Sequence, residues 1–244
     1  MFKKVTKIAL AGIIGVGTLV GASSFVSAAD YKSKAKIEFM ENNDITLPVD
    51  PEDPTIPGEP GPGDKDTEDE NYDSEGTSGP LSIDYASHFN FGTPEKIAGE
   101  KTYTAESIPF NNDDKKVAPY VQVTDNRGSN SGWTLSVDQE GQLKTETDEE
   151  LLGAVITIGK GDAKGTLLTA AEGLTTNEVV LDPEIGNAQV IFGAENLTVG
   201  GTFVSSFGSA EDVDVKLTIA AGTKIETAEY TTDLNWTLED TPLN

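Results

Sequence analysis

The sequence predicts an all-β domain, a sandwich or a barrel-like fold, over residues 81–244. Short runs rich in valine, isoleucine, threonine and aromatic residues recur there, and glycine, asparagine, aspartate or proline separates one run from the next. No segment shows an apolar period of three to four residues that is long enough for a major helix. The region is long enough to enclose a hydrophobic core as one domain.

The N-terminus has the pattern of a secretory signal peptide over residues 1–28. An apolar run at residues 8–20 follows three lysines and leads to small residues at positions 26–29. We expect cleavage after Ala28, with Ala29 as the alternative, and therefore a secreted protein. The uncharged stretch is also long enough to span a bilayer, so a retained membrane anchor is the competing interpretation.

Residues 29–47 form a short N-terminal segment with one predicted strand. Residues 35–40 alternate in polarity, which places Ile37 and Phe39 on one face. A single strand is not stable by itself. We therefore expect this strand to pair with an edge of the main domain, to pair with a different protein, or to stay disordered.

Residues 48–80 are predicted to be a disordered linker. Prolines stand at almost every third position from Pro48 to Pro62, which favours an extended polyproline II conformation. An acidic run at residues 64–70 follows. The apolar content is too low to offset the entropy that ordering would cost, so we expect a solvated segment.

The remaining region, residues 81–244, contains the predicted strands. We expect them near residues 102–105, 120–124, 132–137, 154–158, 178–181, 188–192, 202–207, 213–219 and 234–239. The glycine-rich run at residues 159–165 lacks the ending and the following helix of a phosphate-binding loop. We interpret it as a hairpin loop.

Both tryptophans of the chain occur in the tripeptide Trp-Thr-Leu. Alternate side chains of a strand share a face, so Trp133 and Leu135 would lie together. Trp236 would likewise share a face with Leu234 and Leu238. We expect one structural unit that needs both strands. Large apolar groups on one strand face are typical of a core, and an indole that stacks on a sugar is the alternative interpretation.

Residues 230–242 resemble the C-terminal motif of the WxL family of exported Gram-positive surface proteins, Tyr-x-x-x-Leu-x-Trp-x-Leu-x-Asp-x-Pro. Every fixed position of that pattern is matched, by Tyr230, Leu234, Trp236, Leu238, Asp240 and Pro242. The shorter proximal motif of the family is matched by Trp133 and Leu135. The resemblance implies that the wall-binding module depends on these residues. It also implies non-covalent attachment to peptidoglycan in the cell wall, within complexes that include companion surface or membrane-anchored proteins.

Charge and cysteine content exclude several classes of function. The formal net charge is −25, and such a surface repels polyanions, so we expect no nucleic-acid partner. The chain has no cysteine, which removes disulfides, thiol nucleophiles and cysteine-rich metal sites. No sortase-type Leu-Pro-x-Thr-Gly motif occurs, so we expect any attachment to the cell to be non-covalent.

The sequence offers no convincing catalytic site. His88 is the only histidine, and we expect it to be partly exposed on a strand that turns Phe89 and Phe91 inward. The acidic residues 64–75 lack the glycine and the flanking helices of a calcium-binding EF-hand. We therefore predict a non-enzymatic surface protein with no cofactor and no bound metal. The alternatives are an adhesin for host extracellular matrix or plant polymers and, third, a polysaccharide hydrolase.

Overall fold

The protein is all-β in the computed structural model, which describes residues 30–58, 76–111, 115–128, 131–167, 173–183, 188–195, 197 and 199–242. Fourteen strands and no helix occur in these residues, which confirms the predicted fold class. The predicted signal peptide with Ala28 and Ala29, and the acidic run at residues 64–70, lie outside the described residues.

The strands form three four-stranded antiparallel sheets and one two-stranded ribbon. Their bounds are β1 Leu81–Ala86, β2 Lys101–Thr104, β3 Ile108–Phe110, β4 Lys115–Val117, β5 Tyr120–Asp125, β6 Trp133–Gln139, β7 Ala154–Ile158, β8 Asp162–Gly165, β9 Leu174–Thr176, β10 Val179–Leu181, β11 Gln189–Ala194, β12 Gly201–Ser206, β13 Val215–Ile219 and β14 Leu234–Glu239. The sheet orders are β1-β5-β12-β8 for the first sheet, β10-β7-β13-β2 for the second and β14-β6-β11-β9 for the third, and β3 pairs with β4.

The main core lies between the inner faces of these sheets. In β7, Ala154, Ile156 and Ile158 are buried while the residues between them are partly exposed, as the two-residue period of a strand requires. β13 shows the same alternation, and β6 shows it from Leu135 onward, with Thr134 also buried. Each sheet therefore contributes one apolar face to a shared core.

The first sheet is covered on both faces. Every residue of β5 is buried, which an amphipathic strand at the surface would not show. Val121 and Val123 enter the main core, whereas Tyr120 packs on the opposite side with Phe110 of β3 and Val117 of β4. The β3–β4 ribbon thus caps the outer face of this sheet.

A second covering element is the N-terminal strap, residues 47–58. The Val49 N–H donates to Oε1 of Gln122 at 2.8 Å, and Nε2 of Gln122 donates to the Leu47 carbonyl at 3.1 Å. Lys115 of β4 pairs with Asp50 at 2.7 Å and with Glu52 at 2.6 Å.

The strap differs from the solvated linker predicted to begin at residue 48. Pro51 and Pro54 are buried together with Asp50, so residues 48–58 are packed against the domain. The prolines fix a compact loop, and Lys115 on β4 pairs with two of its acids, Asp50 and Glu52. Sequence composition alone indicates neither of these contacts. The rest of the predicted linker up to residue 75 lies outside the described residues.

Three further local predictions are wrong. Residues 35–40 form no strand, because no sheet edge in the described chain pairs with them. The run at residues 159–165 is not a hairpin loop, since β8 pairs with β12 of the first sheet while β7 belongs to the second. Residues 87–92 are not a strand either, although Phe89 and Phe91 do pack against the core and His88 is half-buried.

Candidate functional site

The two tryptophan motifs lie on adjacent strands of the third sheet. β6 and β14 are antiparallel neighbours, with Trp236 opposite Val137 and Leu238 opposite Leu135. Directly opposed residues point to the same face of a sheet. The two motifs, which are about a hundred residues apart in sequence, therefore form one continuous apolar row facing the core.

Trp133 is at the centre of that core. Its side chain is 0% exposed and packs edge-on against Phe192, with ring centroids 4.9 Å apart. The ring centroid of Phe203, on the first sheet, lies 6.0 Å from that of Trp133. Leu135 is also 0% exposed. Trp133 thus joins two sheets, and its fully buried ring presents no face to solvent.

The second motif is at the margin of the same core. Leu234, Trp236 and Leu238 are half-buried and alternate with exposed residues, because β14 is an edge strand. Tyr230 precedes this strand, and its hydroxyl accepts the N–H of Glu226 at 2.8 Å. Tyr230 thereby closes the turn that leads into β14.

Arg127, the only arginine of the chain, connects the two motifs. Its guanidinium donates to both carboxylate oxygens of buried Asp125, at 3.0 and 2.8 Å. It also donates to the carbonyls of Ser131 and Gly132, at 3.2 and 3.1 Å, just before β6 begins. A second carboxylate, that of Asp240, pairs with the same guanidinium from the end of β14. We call this group the arginine clamp.

The ends of the two motif strands are also packed directly. A Cβ atom at Gly132 would overlap the carbonyl oxygens of Ala194 and Glu195 and would lie 2.7 Å from Pro242. Only glycine allows this approach. The Thr134 hydroxyl donates to the Thr241 carbonyl at 2.8 Å. Asp240 and Pro242 of the second motif therefore hold β14 against the start of the first.

A separate polar network is buried on the outer face of the first sheet. Asp84, the extra residue of a bulge in β1, accepts hydrogen bonds from Ser82, Gln122 and Thr124 at 2.7, 2.8 and 2.5 Å. Burial raises the pKa of Asp84 above its usual value, although these hydrogen bonds act in the opposite direction. Gln122 also holds the strap, so the network links the strap to β1.

The structure thus brings all eight predicted motif residues into one region, but it gives them packing and clamping roles. Sequence reasoning missed Arg127, Asp125 and Gly132. One feature of the sequence could have indicated them: the single arginine of this acidic chain lies a few residues before the first tryptophan.

Two other structural features are absent from the described residues. No group of three or more histidine, cysteine, aspartate or glutamate side chains is arranged there to hold a metal ion. The described part of the chain also contains no helix that is long and apolar enough to cross a membrane.

Comparison with known proteins gives one match. The family model for the WxL domain, described as surface cell wall-binding, matches residues 26–242, nearly the whole chain. No curated protein and no solved structure was found to match. The match supports a cell-surface location and binding to the cell wall. The chain belongs to the WxL family of surface cell wall-binding domains.

Proposed function

We propose that this protein is a non-catalytic module that attaches itself non-covalently to peptidoglycan and serves there as a component on which companion surface proteins assemble. The family match over residues 26–242 carries this proposal, since it spans the described domain. The described residues accordingly form one β-rich unit from residue 40 onward.

The motif residues support binding by maintaining the module. Trp133 and Leu135 are fully buried, so they act on the wall only through the shape of the surface above them. Asp240 acts through the arginine clamp. Of the two motif tryptophans, Trp236 has the more direct route to a ligand, because its side chain is half-buried on an edge strand whereas Trp133 is fully buried.

Co-sedimentation with peptidoglycan freed of teichoic acid tests the proposal. The protein would be the chain from Ala29 onward, the form that the predicted cleavage leaves. We expect the unmodified chain to pellet with the polymer. Retention in the supernatant would contradict direct binding and would indicate that a companion protein holds the chain at the wall.

A matched pair of variants separates packing from contact. Trp133→Phe and Trp236→Phe keep an aromatic ring, and melting curves establish which variants are folded. We expect both folded variants to bind peptidoglycan. Loss of binding by folded Trp236→Phe alone would identify that indole as a contact. A folded variant that loses wall binding yet binds matrix proteins would favour the adhesin alternative.

A further inference from the structure

The N-terminal segment ahead of the strap has an unusual exposed pattern. Side chains at alternate positions from residue 31 to 39 include Tyr31, Ile37 and Phe39, which are 92%, 76% and 83% exposed. Between them, the intervening positions carry three lysines: Lys32, Lys34 and Lys36. As an extended strand, this donor segment (residues 31–40) would be mainly apolar on one face. Its other face would carry the three lysines with Met40 and Glu38, and Glu38 pairs with Lys36 at 2.8 Å.

The edge of β14 has the complementary pattern. Among the described strands β14 pairs only with β6, so one side of its backbone is unpaired. Its core-facing residues, Leu234, Trp236 and Leu238, are only half-buried, although β1 of the first sheet also approaches β14. A further strand at this edge would complete their burial.

The charge along this edge is mainly negative, although Arg127 pairs with Asp240 and Lys224 pairs with Glu226. Residues 225–242 contain no lysine or arginine, and their acids are Glu226, Glu229, Asp233, Glu239 and Asp240. Asp138 of β6 lies opposite Asn235 and adds another carboxylate to the outward face. In contrast, the lysines of the donor segment are concentrated within five residues of a strongly acidic chain.

We propose that the donor segment of one molecule adds as an extra strand to the β14 edge of a second copy of this chain. Its apolar face, with Ile37 and Phe39, extends the row of Leu234, Trp236 and Leu238. Its lysine face meets the carboxylates of Asp138 and Glu239. Backbone hydrogen bonds supply affinity in such strand addition, and alternate side chains supply specificity.

A second copy fits better than an unrelated partner because each molecule carries both surfaces. Both are exposed in the single chain, and the predicted strand at residues 35–40 and β14 each span six residues. The interface is heterologous, since different patches meet, so it propagates from molecule to molecule. The proposal does not depend on wall binding and is tested without wall polymer.

Analytical ultracentrifugation of the chain from Ala29 onward, with two charge-reversed variants, tests the proposal. One variant reverses the donor segment (K32E, K34E and K36E), and the other reverses the edge (D233K and E239K). We expect the unmodified chain to gain mass with concentration and each variant to stay monomeric. An equimolar mixture of the two variants should regain the assembly, because each reversed surface then meets a reversed partner.

A matched control changes three exposed lysines elsewhere to glutamate, K101E, K116E and K160E, and should assemble as the unmodified chain does. I37D with F39D, which leaves the lysines intact, should abolish assembly. A monomeric unmodified chain at every concentration would overturn the proposal. The proposal would also be overturned if the lysine control lost assembly as fully as the donor-segment variant, or if the mixture of the two variants stayed monomeric. Slow amide exchange in β14 of a monomer, dependent on the donor segment, would show pairing within one chain and also overturn it.

Discussion

The same tripeptide occupies two different environments in this protein. Trp133 lies on a central strand and is fully buried between two sheets, whereas Trp236 lies on an edge strand and is half-buried. Both point into the same core, and their strands are neighbours. The contrast shows that position within the sheet, rather than local sequence, sets how deeply each indole is buried.

Substitution of the two tryptophans by alanine should expose this difference most clearly. Trp133→Ala removes a fully buried indole and should cost about 3–5 kcal/mol of unfolding free energy. Trp236→Ala removes a half-buried indole and should cost about 1–2 kcal/mol. Urea unfolding followed by circular dichroism measures both. Equal losses would contradict the assignment of central and marginal roles.

The two carboxylates of the arginine clamp should contribute unequally to the free energy of unfolding, because Asp125 is buried and Asp240 is exposed. Arg127→Met leaves buried Asp125 without its bidentate partner and should cost about 3 kcal/mol. Asp240→Asn removes only the exposed end of the clamp and should cost less than about 1 kcal/mol. Thermal melts of the two variants measure these losses. An Arg127→Met variant with an unchanged melting temperature would show that the clamp does not stabilise the fold.

The close packing around Gly132, at the start of β6, should leave no room for an added methyl group. Gly132→Ala forces a Cβ against two carbonyl oxygens and should destabilise by about 1–3 kcal/mol. Gly99→Ala is the matched control, because its Cβ meets no atom within 4 Å. Denaturant midpoints of the two variants measure the difference. If they coincide, the two motif ends are not in contact as described.

Many of the strands are predictable from sequence, because buried and exposed side chains alternate along them. Strands such as β7 and β13 alternate cleanly because one face meets the core, so their positions follow from the two-residue period. The shared face of Trp133 and Leu135 follows in the same way. These are local consequences of a strand that is half-exposed.

The unpredicted parts depend on partners far away in the chain. The strap is ordered by Gln122 and Lys115, which lie more than sixty residues from it. β8 is recognisable only through its pairing with β12. Arg127 acquires its role because β14 returns beside β6. Composition and periodicity do not record such pairings. The sequence therefore indicates nine of the fourteen described strands but not their neighbours, and it does not indicate β1, β3, β4, β8 or β9.

The smallest predicted effect concerns the outer polar network and its pH dependence. A carboxyl whose pKa is raised by folding stabilises the native state most at pH values below its unfolded pKa of 3.8. That contribution is lost as the pH rises toward the raised pKa of the folded state. Asp84→Asn should flatten this decline in unfolding free energy above pH 3.8. A profile identical to that of the unmodified chain would show that Asp84 does not titrate differently on folding.

The central claim is that two motifs distant in sequence form neighbouring strands in one register. Because the chain has no cysteine, a pair introduced at Ser136 and Thr237, which lie opposite each other, reports this register directly. We expect S136C with T237C to form a disulfide under mild oxidation, while S136C with V155C, on the second sheet, does not. The oxidised first pair should still pellet with peptidoglycan. Failure of that pair to cross-link in folded protein, or cross-linking only in the control, would contradict the account.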